Sequence, residues 1–125
     1  MRILWTVNLL PREAALSMGE AAEVLGGWVE AMTKQLRERK DIQLAIACKV
    51  KDGMAFQKEI HQVTYYSLSY SEKNQEASLR VQCKQIIEAY QPDLIQIEGT
   101  EFLHAKVMLE EGKRRGIPTV VSMQG

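Results

Sequence analysis

A chain of 125 residues that is 46% hydrophobic and 26% charged has the balance of one folded domain, large enough to bury roughly two-thirds of its unfolded surface. That balance excludes a disordered tail. Sixteen basic and sixteen acidic residues cancel, so no overall field draws a polyanion, and no stretch interleaves aromatics with Lys or Arg; nucleic acid is not an expected partner.

In chain order, the first element is the β-rich run 2–7. A basic Arg2 ahead of Ile3 to Leu10 faintly resembles a secretory leader, but Asn8 interrupts the apolar run and Pro11-Arg12-Glu13 follows at once, so a strand entering a loop is expected instead. No run reaches ~18 apolar residues, so no membrane-spanning helix is expected. The long loop ends in Leu25-Gly26-Gly27-Trp28, and over 27–39 the residues Val29, Met32 and Leu36 recur at helical spacing.

Ile42, Leu44, Ile46 and Cys48 then alternate with Gln43, Ala45, Ala47 and Lys49, the period of a second strand. Lys51-Asp52-Gly53 supplies turn chemistry before a less regular stretch, and a third strand follows at about 62–67. Ser69 and Glu72 fit a capping box, and Leu79, Cys83, Ile86, Ile87 and Tyr90 form one apolar stripe, so a helix should end near Tyr90, before Pro92. Residues 94–97 read as a fourth strand. Phe102, Ala105 and Leu109, with Leu103 and Met108 widening the stripe, mark a further helix stopped by Gly116 and Pro118, and 117–123 is the fifth strand.

Helices between strands one and two, three and four, and four and five imply right-handed parallel crossovers. The expected fold is α/β, an open doubly wound, mainly parallel sheet in the order 3-2-1-4-5 with helices on both faces. Cys48 on a strand and Cys83 on an apolar stripe are expected as buried, reduced thiols, which suits a reducing, cytoplasmic setting. No repeat, low-complexity tract or internal linker divides the chain, so 1–125 reads as one domain.

In such a sheet the order reverses between strands one and four, leaving a crevice at their carboxyl ends. Two glycine-bearing junctions open onto it. Asn8, Gly26, Gly27 and Trp28 form a candidate phosphate or acceptor loop, because glycines let backbone amides approach a ligand and a following helix directs its N–H groups at an anion. A tight turn explains the same glycines, and packing explains the same tryptophan. On the other lip Glu98, Thr100 and Glu101 offer carboxylates and a hydroxyl suited to a polyol. Thr100 as N-cap and Glu101 as a first-turn charge have a structural explanation; Glu98 has none.

Other sites are not supported. His61 and His104 are not spaced as metal ligands, the two cysteines form no CxxC, and no metal or cofactor is expected. His104 reads as a surface histidine. No serine has a G-x-S-x-G context. The basic residues Lys34, Arg37, Arg39 and Lys40, and Lys113-Arg114-Arg115, close helices on the edge opposite the crevice, where a solvated face and a peripheral contact with anionic lipid are the two readings.

Taken together, the opening strand Met-Arg-Ile-Leu-Trp-Thr-Val-Asn, the loop to Gly26-Gly27-Trp28, the segment Pro-Asp-Leu-Ile-Gln-Ile-Glu-Gly-Thr-Glu-Phe (92–102) and the terminal Ile-Pro-Thr-Val-Val-Ser-Met-Gln-Gly (117–125) resemble the N-terminal half of family four glycosyltransferases. The resemblance implies a retaining GT-B enzyme of bacterial surface polysaccharide synthesis, with two Rossmann-like domains. The N-terminal domain shapes the acceptor site, for a sugar or lipid-linked acceptor, and a C-terminal domain holds the nucleotide-sugar. It implies that Gly26 and Gly27 lie near the donor diphosphate. Some relatives carry a functional histidine where this chain has Glu98, which leaves the catalytic residues unassigned. The family's donor-binding basic residues and Glu-x7-Glu signature belong to the C-terminal half, so this chain by itself is expected to be inactive, working in the cytoplasm or against the inner face of the membrane. The alternative is a self-standing Rossmann-like or flavodoxin-like module that binds a small anion or nucleotide.

Overall fold

The computed structural model describes residues 1–8, 35, 38–50, 55–60, 62–70, 75–99 and 102–122. In chain order these give β1 (Arg2–Val7), β2 (Gln43–Val50), β3 (Gln57–Ile60), β4 (Val63–Ser69), α1 (Glu76–Tyr90), β5 (Leu94–Glu98), α2 (Leu103–Arg114) and β6 (Thr119–Ser122). The helix expected over 27–39 lies outside the described residues, apart from Gln35, Glu38 and Arg39.

The six strands form one sheet in the order β3-β4-β2-β1-β5-β6. Every neighbouring pair is parallel except β3 with β4. Without β3 this is the expected order 3-2-1-4-5. The extra strand forms a tight antiparallel hairpin with β4, its register starting at Ile60 opposite Val63, with Gln62 at φ 68 in the turn. Its Gln-Lys-Glu sequence is exposed, so it carries no apolar alternation by which a strand is read. Charged residues on an edge strand also discourage pairing with another chain.

Both faces of the central strands are buried, as parallel sheets require. On one face Leu4, Ala45, Ala47, Leu68, Ile95 and Ile97 meet Leu79, Cys83, Ile86 and Ile87 of α1 and Ala105, Val107 and Met108 of α2. On the other, Ile3, Trp5, Val7, Leu44, Ile46, Cys48, Val63 and Tyr65 form a second cluster. The alternation in β2 therefore separates two buried faces: Ala45 and Ala47 are small apolar residues facing the helix side, with Lys49 following at the carboxyl end. Each fully buried large side chain, such as Leu79, contributes about 1.5–3 kcal/mol. Both thiols are buried and reduced, and burial pushes each up to about 12.

The five-residue stripe of α1 is buried as expected, but the helix starts later than the capping pattern suggests. Ser69 is the last residue of β4, where its N–H donates to Gln82 Oε1 while Gln82 Nε2 donates to its carbonyl. Burial of Leu68 and Tyr70 holds this stretch as strand, and tertiary packing overrides the local cap. Glu72 lies outside the described residues. α1 ends at Gln91, in the left-handed region at φ 54, whose N–H bonds Ile87 O. An ion-pair cluster joins the helices: Arg80 contacts Glu110 at 2.9 Å and the buried Glu111 at 3.2 Å. α2 stops as expected, with Gly116 at φ 71 and the Ile117 N–H returning to Gly112 O.

Candidate functional site at the carboxyl edge

β1 lies between β2 and β5, and the chain winds outward in opposite directions on its two sides. That makes its carboxyl end the switch point at which open α/β sheets bind ligands. Asn8 follows β1 and Gly99 follows β5 there. Gly99 adopts φ 78 and donates its N–H to Ser122 O at 2.8 Å, a positive-φ turn that suits glycine. The chain then reaches Phe102, the cap position of α2, in extended conformation and with no side-chain cap. The helix expected to be capped by Thr100 thus begins at Leu103, because Phe102 O takes the first N–H bonds, from Ala105 and Lys106.

Glu98 closes β5 on the face away from α1 and α2. The residue is 6% exposed, and its Oε1 accepts hydrogen bonds from Trp5 Nε1 at 2.9 Å and Gln96 Nε2 at 3.0 Å. The register explains the grouping: Trp5 pairs with Gln96, so Trp5, Gln96 and Glu98 share one face. A carboxylate fixed in this way at a sheet edge is an acceptor for ligand hydroxyl or amide protons. Trp5 and Gln96 were not legible as site residues, since their role depends on strand pairing.

The opposite face carries a second polar group. Thr6 pairs with Ala47 and Ile97, both in the helix-side cluster, and Asn8 continues that face. His104, in the first turn of α2, is wholly buried. Its Nδ1 lies 2.8 Å from the Tyr70 hydroxyl and its ring stacks on Phe102 with centroids 5.5 Å apart. Lys49 Nζ sits 5.2 Å from the centroid of the Tyr70 ring, a cation–π contact. Burial, and then the charge of Lys49, push the His104 imidazole down to about 4, so the ring is neutral near pH 7.

The surface reading of His104 is therefore corrected. His104, Met108 and Glu111 fall at positions i, i+4 and i+7 and are all buried, so the buried stripe of α2 is wider than its apolar residues suggest. Thr6 Oγ1, Asn8 Oδ1 and His104 Nε2 are buried and have no hydrogen-bond partner among the described residues. Leaving such a group unpaired costs about 1–3 kcal/mol.

Of the candidates read from sequence, the structure places Asn8 and Glu98 at this edge, on opposite faces of the sheet. Gly26, Gly27, Trp28, Thr100 and Glu101 lie outside the described residues. A cleft of ≈ 720 Å³ lies elsewhere, between β4 and α1, where the described lining residues, Phe56, Gln57, Tyr66, Ser67, Gln82 and Ile86 among them, include no charged side chain. Among the described residues no helix is long and apolar enough to cross a membrane.

No protein-family model matches the chain, and no curated protein matches it in sequence. Among solved structures it is similar to the UDP-GlcNAc 2-epimerase from Neisseria meningitidis bound to UDP-GlcNAc, with a TM-score of 0.59 and 12% identity. The match covers 97% of this chain and 31% of that one, so the chain spans about a third of the length of that enzyme. At this identity the likeness is one of fold, and the fold is a Rossmann-like α/β one.

Proposed function

We propose that the chain is the acceptor-side, N-terminal domain of a retaining GT-B glycosyltransferase. It works with a second, donor-binding α/β domain to move a hexose from a nucleotide-sugar to a glycan or lipid-linked acceptor, in bacterial surface polysaccharide synthesis. The observation that carries this reading is the fold likeness, along nearly the whole chain, to an enzyme bound to a nucleotide-sugar, together with the polar carboxyl edge at the switch point. The resemblance of residues 92–102 and 117–125 to family four glycosyltransferases narrows it to transfer.

In this reading the donor-binding domain stabilises the departing diphosphate, normally the larger electrostatic term, and the present domain orients the acceptor. Glu98, with one oxygen held by Trp5 and Gln96, accepts a hydrogen bond from an acceptor hydroxyl. Asn8, Gly26, Gly27 and Trp28 are assigned to binding phosphate or acceptor, and Thr100 and Glu101 to binding the acceptor. Basic residues at the opposite edge, exposed at Lys40 and Lys113, bring the domain to an anionic membrane holding a lipid-linked acceptor.

The test uses labelled UDP- and GDP-sugars. The 125-residue chain alone gives neither transfer nor hydrolysis; joined to its donor-binding domain, encoded beyond Gly125 or on a separate polypeptide, it transfers sugar with retention at the anomeric carbon. Turnover by the chain alone refutes this division of labour. A second reading, favoured by the fold neighbour itself, is nucleotide-sugar epimerisation, and an epimerised nucleotide-sugar formed without acceptor would establish it. Binding of a flavin or free nucleotide by the chain, with no response to sugars, would instead mark a self-standing small-ligand module.

A further inference from the structure

Four buried side-chain atoms lack a hydrogen-bond partner among the described residues, and three of them, Thr6 Oγ1, Asn8 Oδ1 and His104 Nε2, belong to the helix-bearing face at the carboxyl edge. The fourth, the Tyr90 hydroxyl, lies at the far end of α1, where Arg2 packs over its ring. Native interiors pair such groups, so three orphans on one face of one sheet edge call for a missing partner.

The donor inventory says what that partner is. A buried phenol has one proton to place, and Nδ1 of His104 is the acceptor 2.8 Å from the Tyr70 hydroxyl. The neutral ring then carries its own proton on Nε2 and presents a donor. Thr6 offers a second O–H. The Asn8 amide can present either its oxygen or its NH2 after rotation, since the two ends are distinguished only by their partners. Lys49, packed over the Tyr70 ring, adds a positive charge, whereas the buried Glu98 carboxylate lies on the opposite face of the sheet. Donors and positive charge share this face of the sheet, so a neutral polyol, which brings donors of its own, fits less well than an oxyanion.

We infer that Thr6, Asn8, Lys49 and His104 form a binding site for an oxyanion, a carboxylate or a phosphate monoester, with Tyr70 as the positioning residue that fixes the His104 tautomer. Assigning that oxyanion to the acceptor, as a lipid phosphate or an acidic sugar, rests on the transferase reading; the site itself does not. A water cluster is the rival occupant.

The 125-residue chain, labelled with ¹⁵N-histidine, is titrated separately with methyl phosphate, acetate and methyl glucoside while the His104 Nε2 resonance is followed, assigned by its loss in His104→Phe. One oxyanion should move this resonance saturably, and methyl glucoside should not. Preference for methyl phosphate identifies a phosphate source, and preference for acetate a carboxylate source. Lys49→Met and Thr6→Val should each weaken binding at least tenfold; Thr6→Val removes a buried hydroxyl without changing shape, and the dispersion of the amide spectrum shows whether each variant is folded. If Thr6→Val does not fold, Lys49→Met decides. The inference is overturned if neither oxyanion moves Nε2, if methyl glucoside moves it equally, or if folded Lys49→Met binds as tightly as the parent. No sugar nucleotide enters this experiment, so saturable oxyanion binding beside absent transfer removes the transferase reading alone.

Discussion

At the scale of single residues, Glu98 and His104 are both buried at the same edge, and their chemistry differs because their partners do. Glu98 is held by two N–H donors on one oxygen. Glu98→Gln keeps an oxygen for both and removes the charge, so thermal unfolding should change little while, in the transferase proposed above, the acceptor KM rises roughly tenfold, a loss of about 1.4 kcal/mol of binding. Glu98→Ala removes the acceptor altogether and should cost about 2 kcal/mol of stability as well; parental activity in both variants would take Glu98 out of the site. His104 makes a pH-dependent contribution. Its folded value of about 4 lies below the ordinary 6.5, so between these values the unfolded chain holds a proton that the folded chain does not. Stability from the neutral ring is complete above pH 6.5 and falls as pH drops towards 4, by roughly 3 kcal/mol over the window. Lys49, facing the ring, is the second cause of that loss after burial. Urea midpoints above and below this window check it, and His104→Phe should flatten the difference even though it removes the side-chain partner of the Tyr70 hydroxyl.

At the scale of elements, α2 crosses β5 and β6 in close contact. A Cβ on Gly112 would lie 2.9 Å from Thr119 Oγ1 and 3.0 Å from Ile95 Cδ1. Alanine gains about 1 kcal/mol of helix propensity over glycine, but overpacking costs roughly 1–3 kcal/mol, so Gly112→Ala should lower stability by about 1 kcal/mol. Adding Thr119→Ala should recover part of the loss, and calorimetric unfolding of the two single variants and the double variant checks the coupling. A Gly112→Ala protein more stable than the parent would show that the strand yields easily. The β4 to α1 junction shows the opposite balance: there the local capping signal at Ser69 gives way because Leu68 and Tyr70 are buried and Gln82 bonds both backbone groups of Ser69.

At the scale of the whole molecule, β1 is paired on both sides and buried on both faces, while β3 and β6 are edge strands with exposed residues. Amide exchange should therefore be slowest in β1, β2 and β5, through global unfolding, and faster in β3 and β6. Exchange measured residue by residue tests this; protection in β6 equal to that in β1 would mean that something covers that edge in solution.

The sequence by itself determined the period of each main element among the described residues, because apolar spacing of two or of 3.6 is a local property. It named all five buried residues of α1, the parallel connections and hence the order of five strands, and the glycine stop of α2. It also placed Asn8 and Glu98 at the carboxyl edge, since each ends a strand. Only the tertiary structure decided which face each side chain occupies and what meets it there. Pairing of β1 with β5 brings Trp5 to Glu98 over 93 residues of separation, and packing of α2 against the end of β4 joins His104 to Tyr70. Polar residues such as Thr6 and His104 carry no apolar signal to mark them as buried, and the charged β3 has no pattern to mark it as a strand. Their places follow from neighbours distant in the chain, contacts that local spacing does not encode.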